Sequence, residues 1–346
     1  MWLAHAKKHW FLVGIVLLVG SGLAVGLSLT DAAVARINDS ALSKAPGWVT
    51  RVVLFLMAFS LDSGKLRESL RAPMPVLWGS VVNSVAIPLG AWSLMSLQTD
   101  VSFQVGLMIA GCVPCTMAAV SVWTRKAGGN DAVSLLTTLL TNSCCFFVTP
   151  FWLNLATRDL VEGGASLGFV PMMERLLYVV LIPSVLGQVV RAIPAAGRFA
   201  VAHKPRIGIV AQGLILVLVF TAAAFKAGPQ LRTGGVPIGG IAIVWACCLG
   251  LHLVAMCIGG LGARAMSFSD EDRIAVLFGS SQKTLPIGVY LATDAGIGIA
   301  AACPFAVFPM LMFHATQLFV DTIIAGRIAD EASPVVVEDE AGAGES

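Results

Sequence analysis

Charge is scarce in this sequence. Asp, Glu, Lys and Arg make up only 12% of its 346 residues, against about 25% in an ordinary soluble domain. The formal net charge is +2 and no basic patch interleaves with aromatic residues, so nothing favours a nucleic-acid partner. Short segments of alternating polarity are absent, which argues against a transmembrane β-barrel. The eight cysteines (Cys112, Cys115, Cys144, Cys145, Cys247, Cys248, Cys257 and Cys303) all stand inside apolar segments. That is the placement of small buried residues, not of a disulfide framework. No second Cys/His pair stands at metal-ligand spacing. Cys112 and Cys115 have the spacing of a redox pair, but no thioredoxin-like βαβ pattern surrounds them, so thiol enzyme chemistry ranks last among the readings.

What remains is apolar. Mean hydropathy is +0.85, and runs of about 20 apolar residues, enough to span a bilayer, recur along nearly the whole chain. The reading is an all-α polytopic membrane protein with ten spans. They are placed at 10–29, 48–61, 73–97, 103–126, 131–153, 174–191, 206–226, 236–261, 271–293 and 297–324. The first follows Lys7 and Lys8 and is long for a signal sequence, so it is taken as an uncleaved helix. Residues 327–346 are acidic and rich in Gly and Ala, and read as a disordered cytoplasmic tail. With the N-terminus inside, about twice as many Lys and Arg fall in inner connections as in outer ones. This bias places both termini in the cytoplasm of a cell bounded by this cytoplasmic (inner) membrane.

Ten spans divide into five and five, residues 1–153 and 154–326. An odd number per half inverts the second half relative to the first, as in many secondary transporters. The fourth span is interrupted by "GCVPC", with Pro114, and leads into "AGGND", with Gly129. The ninth carries "GSSQKTLPIG", with Pro286. Such breaks at corresponding places point to broken helices lining a site, since unwound backbone at membrane depth must be satisfied by protein or a wet cavity. The plainer alternative is two helices kinked for packing.

Polar residues within the spans share helical faces. Asn83 stands five residues before Pro88, and Ser134, Thr138, Thr141 and Asn142 fall three or four apart. Ser280, Ser281, Gln282, Lys283 and Thr284 cluster in the ninth span. Hydroxyls of this kind also serve simply to join helices. His314 and Asp321 are candidates for a proton relay, although Asp321 lies near the cytoplasmic end, where water would hydrate it. His252 stands alone and reads as a packing residue. Lys283 is the outlier. Charge at the membrane centre costs about 2.5–3.5 kcal/mol on the insertion scale, so it must be compensated or removed.

The stretches "GCVPCTMAAVSVWTRKAGGNDAVSLLTTLLTNS" and "GSSQKTLPIGVYLA", followed by "FPMLMFHATQ", resemble the bile acid:sodium symporter family, most closely its SBF-like branch. The resemblance implies ten helices in two inverted repeats. Spans one, two, six and seven would form a panel, and spans three to five and eight to ten a core with crossed, broken helices. It also implies two sodium ions near the crossing and an organic anion as cargo. Carried over, the family's ligand positions fall on Ser134 and Thr138, on Asn83 in place of a glutamine, on Gln282, and less closely on Ser121. Two departures stand out: Phe278 replaces a glutamate that bridges the sodium sites, and Lys283 replaces an asparagine.

Two roles for Lys283 follow: stand-in for a sodium ion, or counter-ion for an anionic substrate. The expected function is alternating-access transport of a small organic anion, weakly dependent on sodium, independent of it or proton-linked. No enzyme activity and no cofactor beyond a coupling Na+ or H+ are expected. The protein would act in the lipid bilayer as a monomer or homodimer. A sodium-coupled symporter and a non-transporting membrane regulator are the alternatives.

Overall fold

Helix claims nearly every described residue, because a backbone without water must bond to itself. The computed structural model describes residues 10–61, 73–117, 119–158, 160, 168–233, 238–297 and 299–332, and contains no strand among them. Helix α1 (Trp10–Ser28) turns by 114° into α2 (Asp31–Asp39), whose N-terminus Thr30 caps through its hydroxyl. There follow α3 (Ala45–Ser60), α4 (Pro73–Met95), α5 (Val101–Cys112), α6 (Val120–Lys126) and α7 (Asp131–Thr157). The chain continues with α8 (Phe169–Ala192), α9 (Pro194–Ala202), α10 (Lys204–Arg232), α11 (Ile238–Ala265), α12 (Asp270–Ser281) and α13 (Leu285–Thr293). It closes with the short α14 (Ile299–Ala302) and α15 (Val307–Ala332). Among the described residues, seven helices are long and apolar enough to cross a bilayer, or eight with the bent pair α1–α2. Multi-pass membrane insertion follows directly.

The two interrupted helices fall where the fourth and ninth spans were expected. Between α5 and α6, Val113 is extended (φ −66°, ψ 153°), the conformation that Pro114 imposes on its predecessor. Between α12 and α13, residues 282–284 leave the helix, and Pro286 sits in the first turn of α13, where its missing N–H is harmless. Gly129 does not interrupt a helix. It lies in the turn between α6 and α7, next to Gly128 at φ +76°, a left-handed conformation that favours glycine.

Three π-turns, Val82–Ala86, Leu177–Leu181 and Ala223–Ala227, each end two residues before a proline: Pro88, Pro183 and Pro229. The wider turn admits a ring that an α-helix would exclude.

The last span departs from its expected limits. Pro304 ends α14, and α15 begins only at Val307, ten residues later than the apolar pattern suggested. It then runs on to Ala332, so residues 327–332 are helical rather than part of a disordered tail. Residues 333–346 lie outside the described residues, as do Lys7, Lys8, Lys65, Arg67 and Arg71 of the charge-bias argument.

Helices α1, α3, α8 and α10 pack on one another. A second set joins α4, α5, α7, α11, α12 and α15. Close approach rests on small residues. A Cβ at Gly187 would come within 2.6 Å of Phe55 O, and one at Gly106 would collide with Ala306 O and come within 2.7 Å of Pro309 Cγ. Backbone carbonyls cannot rotate away as a flexible side chain can. Gly106→Val is therefore expected to destabilise the detergent-purified protein by about 1–3 kcal/mol. Gly20→Ala, with nothing within 4 Å of the added carbon, should stay within about 0.5 kcal/mol of wild type. Thermal unfolding of the two variants side by side checks the contrast.

Candidate functional site: the helix crossing

At the crossing, the two breaks pair through backbone: Thr284 N donates to Pro114 O at 2.9 Å. Lys283 lies here, 0% exposed. Its Nζ donates to Asn83 O at 2.7 Å, Val113 O at 2.9 Å and Asn83 Oδ1 at 3.1 Å, which uses all three ammonium donors.

Prolines explain why those carbonyls are available. In the π-turn, Ile87 N bonds Val82 O, so the next donor in register for Asn83 O is Pro88, which has no N–H. The neighbouring Ser84 O, also deprived by Pro88, is taken by Trp152 Nε1 at 2.9 Å. Val113 O is freed because Pro114 ends α5. The ammonium thus meets the C-terminal end of α5, where the helix dipole is negative. Asn83 reaches the other helix end as well: its Nδ2 donates to Gln282 O at 2.9 Å and to Gly279 O and Ser280 O at 3.3 Å. One side chain therefore caps α12 and holds the lysine.

The backbone of Lys283 is clamped by α15. Gln317 Oε1 accepts from Lys283 N at 2.8 Å, and Gln317 Nε2 donates to Lys283 O at 2.9 Å. A third carboxamide, Asn142 of α7, does the equivalent for the other break, donating to Cys115 O at 2.8 Å. Thr141 Oγ1 accepts from Cys115 N at 3.3 Å, and Thr149 donates to Cys112 O at 2.8 Å.

The expected hydroxyls do not all join Lys283. Ser134 Oγ lies 2.6 Å from Thr124 Oγ1, and Thr138 donates to Ser134 O at 2.9 Å. Ser121 bonds the Asp131 carboxylate, which also pairs with Arg125 at 3.1 Å. These residues form a separate α6–α7 cluster. Ser280 and Ser281 bond carbonyls of their own helix, and Ser280 also bonds Ala255 O of α11. Phe278 is buried among Cys115, Val120 and Met256.

His314 and Asp321 have different partners. His314 Nδ1 lies 2.8 Å from Gln317 Nε2. Asp321 is 0% exposed, not hydrated, and its Oδ1 lies 2.9 Å from His252 Nε2. Its Oδ2 accepts from Gln282 Nε2 at 2.7 Å. His252 is therefore no isolated packing residue. Its signal in the sequence was simply being ionisable within a span, a functional marker in its own right.

Two cavities flank the crossing. One, of about 200 Å³, is bordered by Thr116 of the first break and by Pro286, Met57, Gln212 and His314. The other, of about 400 Å³, is bordered by Lys44, Arg51, Arg175, Tyr290 and Asp294. Arg175 pairs with Asp294 at 3.4 Å, and burial raises the Asp294 pKa against the opposing Gly296 N–H and Arg175. Helix α13 begins at the first cavity and ends at the second.

Interrupted helices crossing within a bundle of spanning helices, with polar groups gathered at the breaks, are an architecture of membrane transporters. The model of the SBF-like CPA transporter family matches residues 9–330, and the chain belongs to that family. It is 28% identical over 303 residues to the uncharacterized protein PA2026 of Pseudomonas aeruginosa, covering 84% of this chain and 88% of that one. It is 22% identical over 335 residues to mouse sodium/bile acid cotransporter 7, covering 94% of each. It is 26% identical over 235 residues to the probable sodium/metabolite cotransporter BASS4, chloroplastic, of Arabidopsis thaliana, covering 63% of this chain and 51% of the relative.

Two substitutions probe the crossing. Lys283→Met leaves Asn83 O, Asn83 Oδ1 and Val113 O without their donor, at about 1–3 kcal/mol for each oxygen that water does not reach. Asp321→Ala strands His252 and Gln282, and removal of one partner from a buried pair typically costs about 3–5 kcal/mol. Lowered melting temperatures in detergent are expected for both; a wild-type value for Lys283→Met would count against the ammonium as a structural cation.

Proposed function

We propose that this protein is a secondary transporter that moves a small organic anion by alternating access, with the Lys283 ammonium in the place of one sodium ion. The observation that carries this reading is the ammonium's complete set of oxygen acceptors at the junction of the two breaks. Carbonyl and amide oxygens of this kind are what a bound cation would otherwise draw together. The position of α13 between the two cavities supports alternating access. On this reading α1, α3, α8 and α10, which pack on one another, form a panel against which the remaining helices move as a core, and the chain is built as two inverted five-helix halves.

A sodium ion does not fit beside this lysine. The oxygens are already engaged, and Phe278 offers no carboxylate. Two unit charges about 4 Å apart repel by roughly 4 kcal/mol at an effective dielectric of 20, which is about a thousandfold in affinity. On this reading, transport does not require sodium at that position. The protein then works in the cytoplasmic membrane with both termini inside, and catalyses no chemical reaction.

One observation favours a second reading, sodium-coupled symport. Gln282 Oε1 is buried and has no hydrogen-bond partner among the described residues, so a coupling cation has one open oxygen there. Proteoliposomes separate the two. Uptake of a panel of radiolabelled organic anions, taurocholate included, should be the same under an inward sodium gradient and an equal potassium gradient. Uptake that follows sodium and persists in Lys283→Ala would sink the proposal in favour of the symporter. No movement of any anion by folded, reconstituted protein would defeat both.

A further inference from the structure

Helix α13 is tied to the second helix set through the crossing: Thr284 N donates to Pro114 O, and Gln317 of α15 holds both backbone groups of Lys283. Its opposite side lies along α3 and α10 of the first set. Few polar bonds cross that seam. Near the start of α13, Thr50 of α3 donates to Pro286 O at 3.3 Å. Further along, Tyr290 and Asp294 close on Gly47, where a Cβ would stand 3.3 Å from Tyr290 Cε2 and 3.5 Å from Asp294 Oδ2. At the far end Arg175 of α8 donates to Asp294 Oδ1 at 3.4 Å, and the same oxygen accepts from Gly296 N at 3.0 Å. The guanidinium lies directly on Gly296, since a Cβ there would collide with it. Two glycines thus leave room for one ion pair across the seam.

Charge at this end is sorted by helix set. Lys44, Arg51 and Arg175 border the larger cavity together with Asp294, and no second acid borders it among the described residues. Lys226 of α10 adds a fourth positive charge within electrostatic reach of Asp294. Arg51 lies over the Trp48 ring at 4.7 Å and Lys226 donates to Asn38 Oδ1 at 2.8 Å, so neither is spent on another carboxylate among the described residues. All four cations stand on the first helix set or on the turn leading into α3. The carboxylate stands at the C-terminal end of α13, whose dipole adds partial negative charge. Electrostatic attraction across the seam therefore rests on one side chain.

We propose that Asp294 is a latch: it holds the end of α13 to the cationic face formed by Arg175, Arg51, Lys44 and Lys226, and the seam between the two helix sets opens at this end when the latch lets go. The latch rests on the transporter reading, in which one helix set moves against the other, and names the bond that the movement must break.

Double electron–electron resonance on the full-length protein in phosphatidylcholine nanodiscs tests this. Spin labels at Leu42→Cys, in the turn before α3, and Leu97→Cys, just after α4, occupy exposed positions on the two sets. The exposed Cys144 and Cys257 are replaced by Ala in every sample. An ion pair of this exposure changes a population by roughly twofold to fivefold. Asp294→Asn faces all four cations and should raise the ratio of long to short distances about fivefold. Arg175→Gln should raise it about twofold and, as a side chain 41% exposed, keeps the test decisive should Asp294→Asn misfold. Raising KCl from about 0.05 to about 1 M screens the pair, so the long-distance fraction should grow in the parent protein and barely change in Asp294→Asn. A label pair at the other end, Val122→Cys with Val201→Cys, both exposed, should not lengthen in either variant. Unchanged distances in both variants, the same salt response with and without Asp294, or lengthening at both ends overturns the proposal. Such a failure alongside intact anion uptake leaves the transporter reading standing. The expected distances without any uptake defeat transport and leave the latch.

Discussion

A helix that breaks halfway through a membrane exposes backbone groups where water cannot reach them, and each unsatisfied group there costs several kcal/mol. The architecture of this protein follows from meeting that constraint twice in one place. Side chains from neighbouring helices act as local solvent. Asn83 caps the end of α12, Gln317 clamps both backbone groups of Lys283, and Asn142, Thr141 and Thr149 serve the break after α5. Lys283 closes the set by taking the carbonyls that Pro88 and Pro114 release. The residues that create the vacancies and the residue that fills them come from three different helices, so the crossing exists only once all three are packed.

Much of this was legible in the sequence, for physical reasons. Proline and glycine inside apolar runs have few tolerated uses, so Pro114 and Pro286 located the two breaks. A lysine amid small and apolar residues has no cheap explanation, so Lys283 announced a built environment. Asn83 was marked by its distance from Pro88, and the structure supplies the cause: the π-turn that admits the proline also frees the Asn83 carbonyl. The span limits were less legible. Hydropathy runs straight through Cys303 and Pro304, so the pattern set the last span ten residues too early.

What was not legible is partnership across distance. His252 and Asp321 lie on different helices, and nothing in the spacing of either joins them, yet they form a fully buried pair. Ser134 and Thr138 share a face as expected, but a face does not reveal what covers it. Here it is Thr124 and Cys115. Ser280 and Ser281 were grouped with Lys283 by proximity in sequence. Their hydroxyls turn back to their own helix, Ser280 reaching Ala255 O of α11 as well, the local alternative always open to Ser in a helix.

A tethered cation changes thermodynamics as well as electrostatics. A dissolved ion that binds outside and leaves inside delivers the free energy of its gradient on each cycle. An ammonium on a side chain travels back with the protein and delivers none. Under the proposed reading, then, the lysine supplies cohesion to the crossing without supplying drive, and the driving force comes from the anion's own gradient or from an ion held elsewhere. This division has a structural counterpart. The group that satisfies the breaks, the Lys283 Nζ, faces α4 and α5, whereas the Lys283 backbone faces α15 and, through Gln317, the cavity at His314.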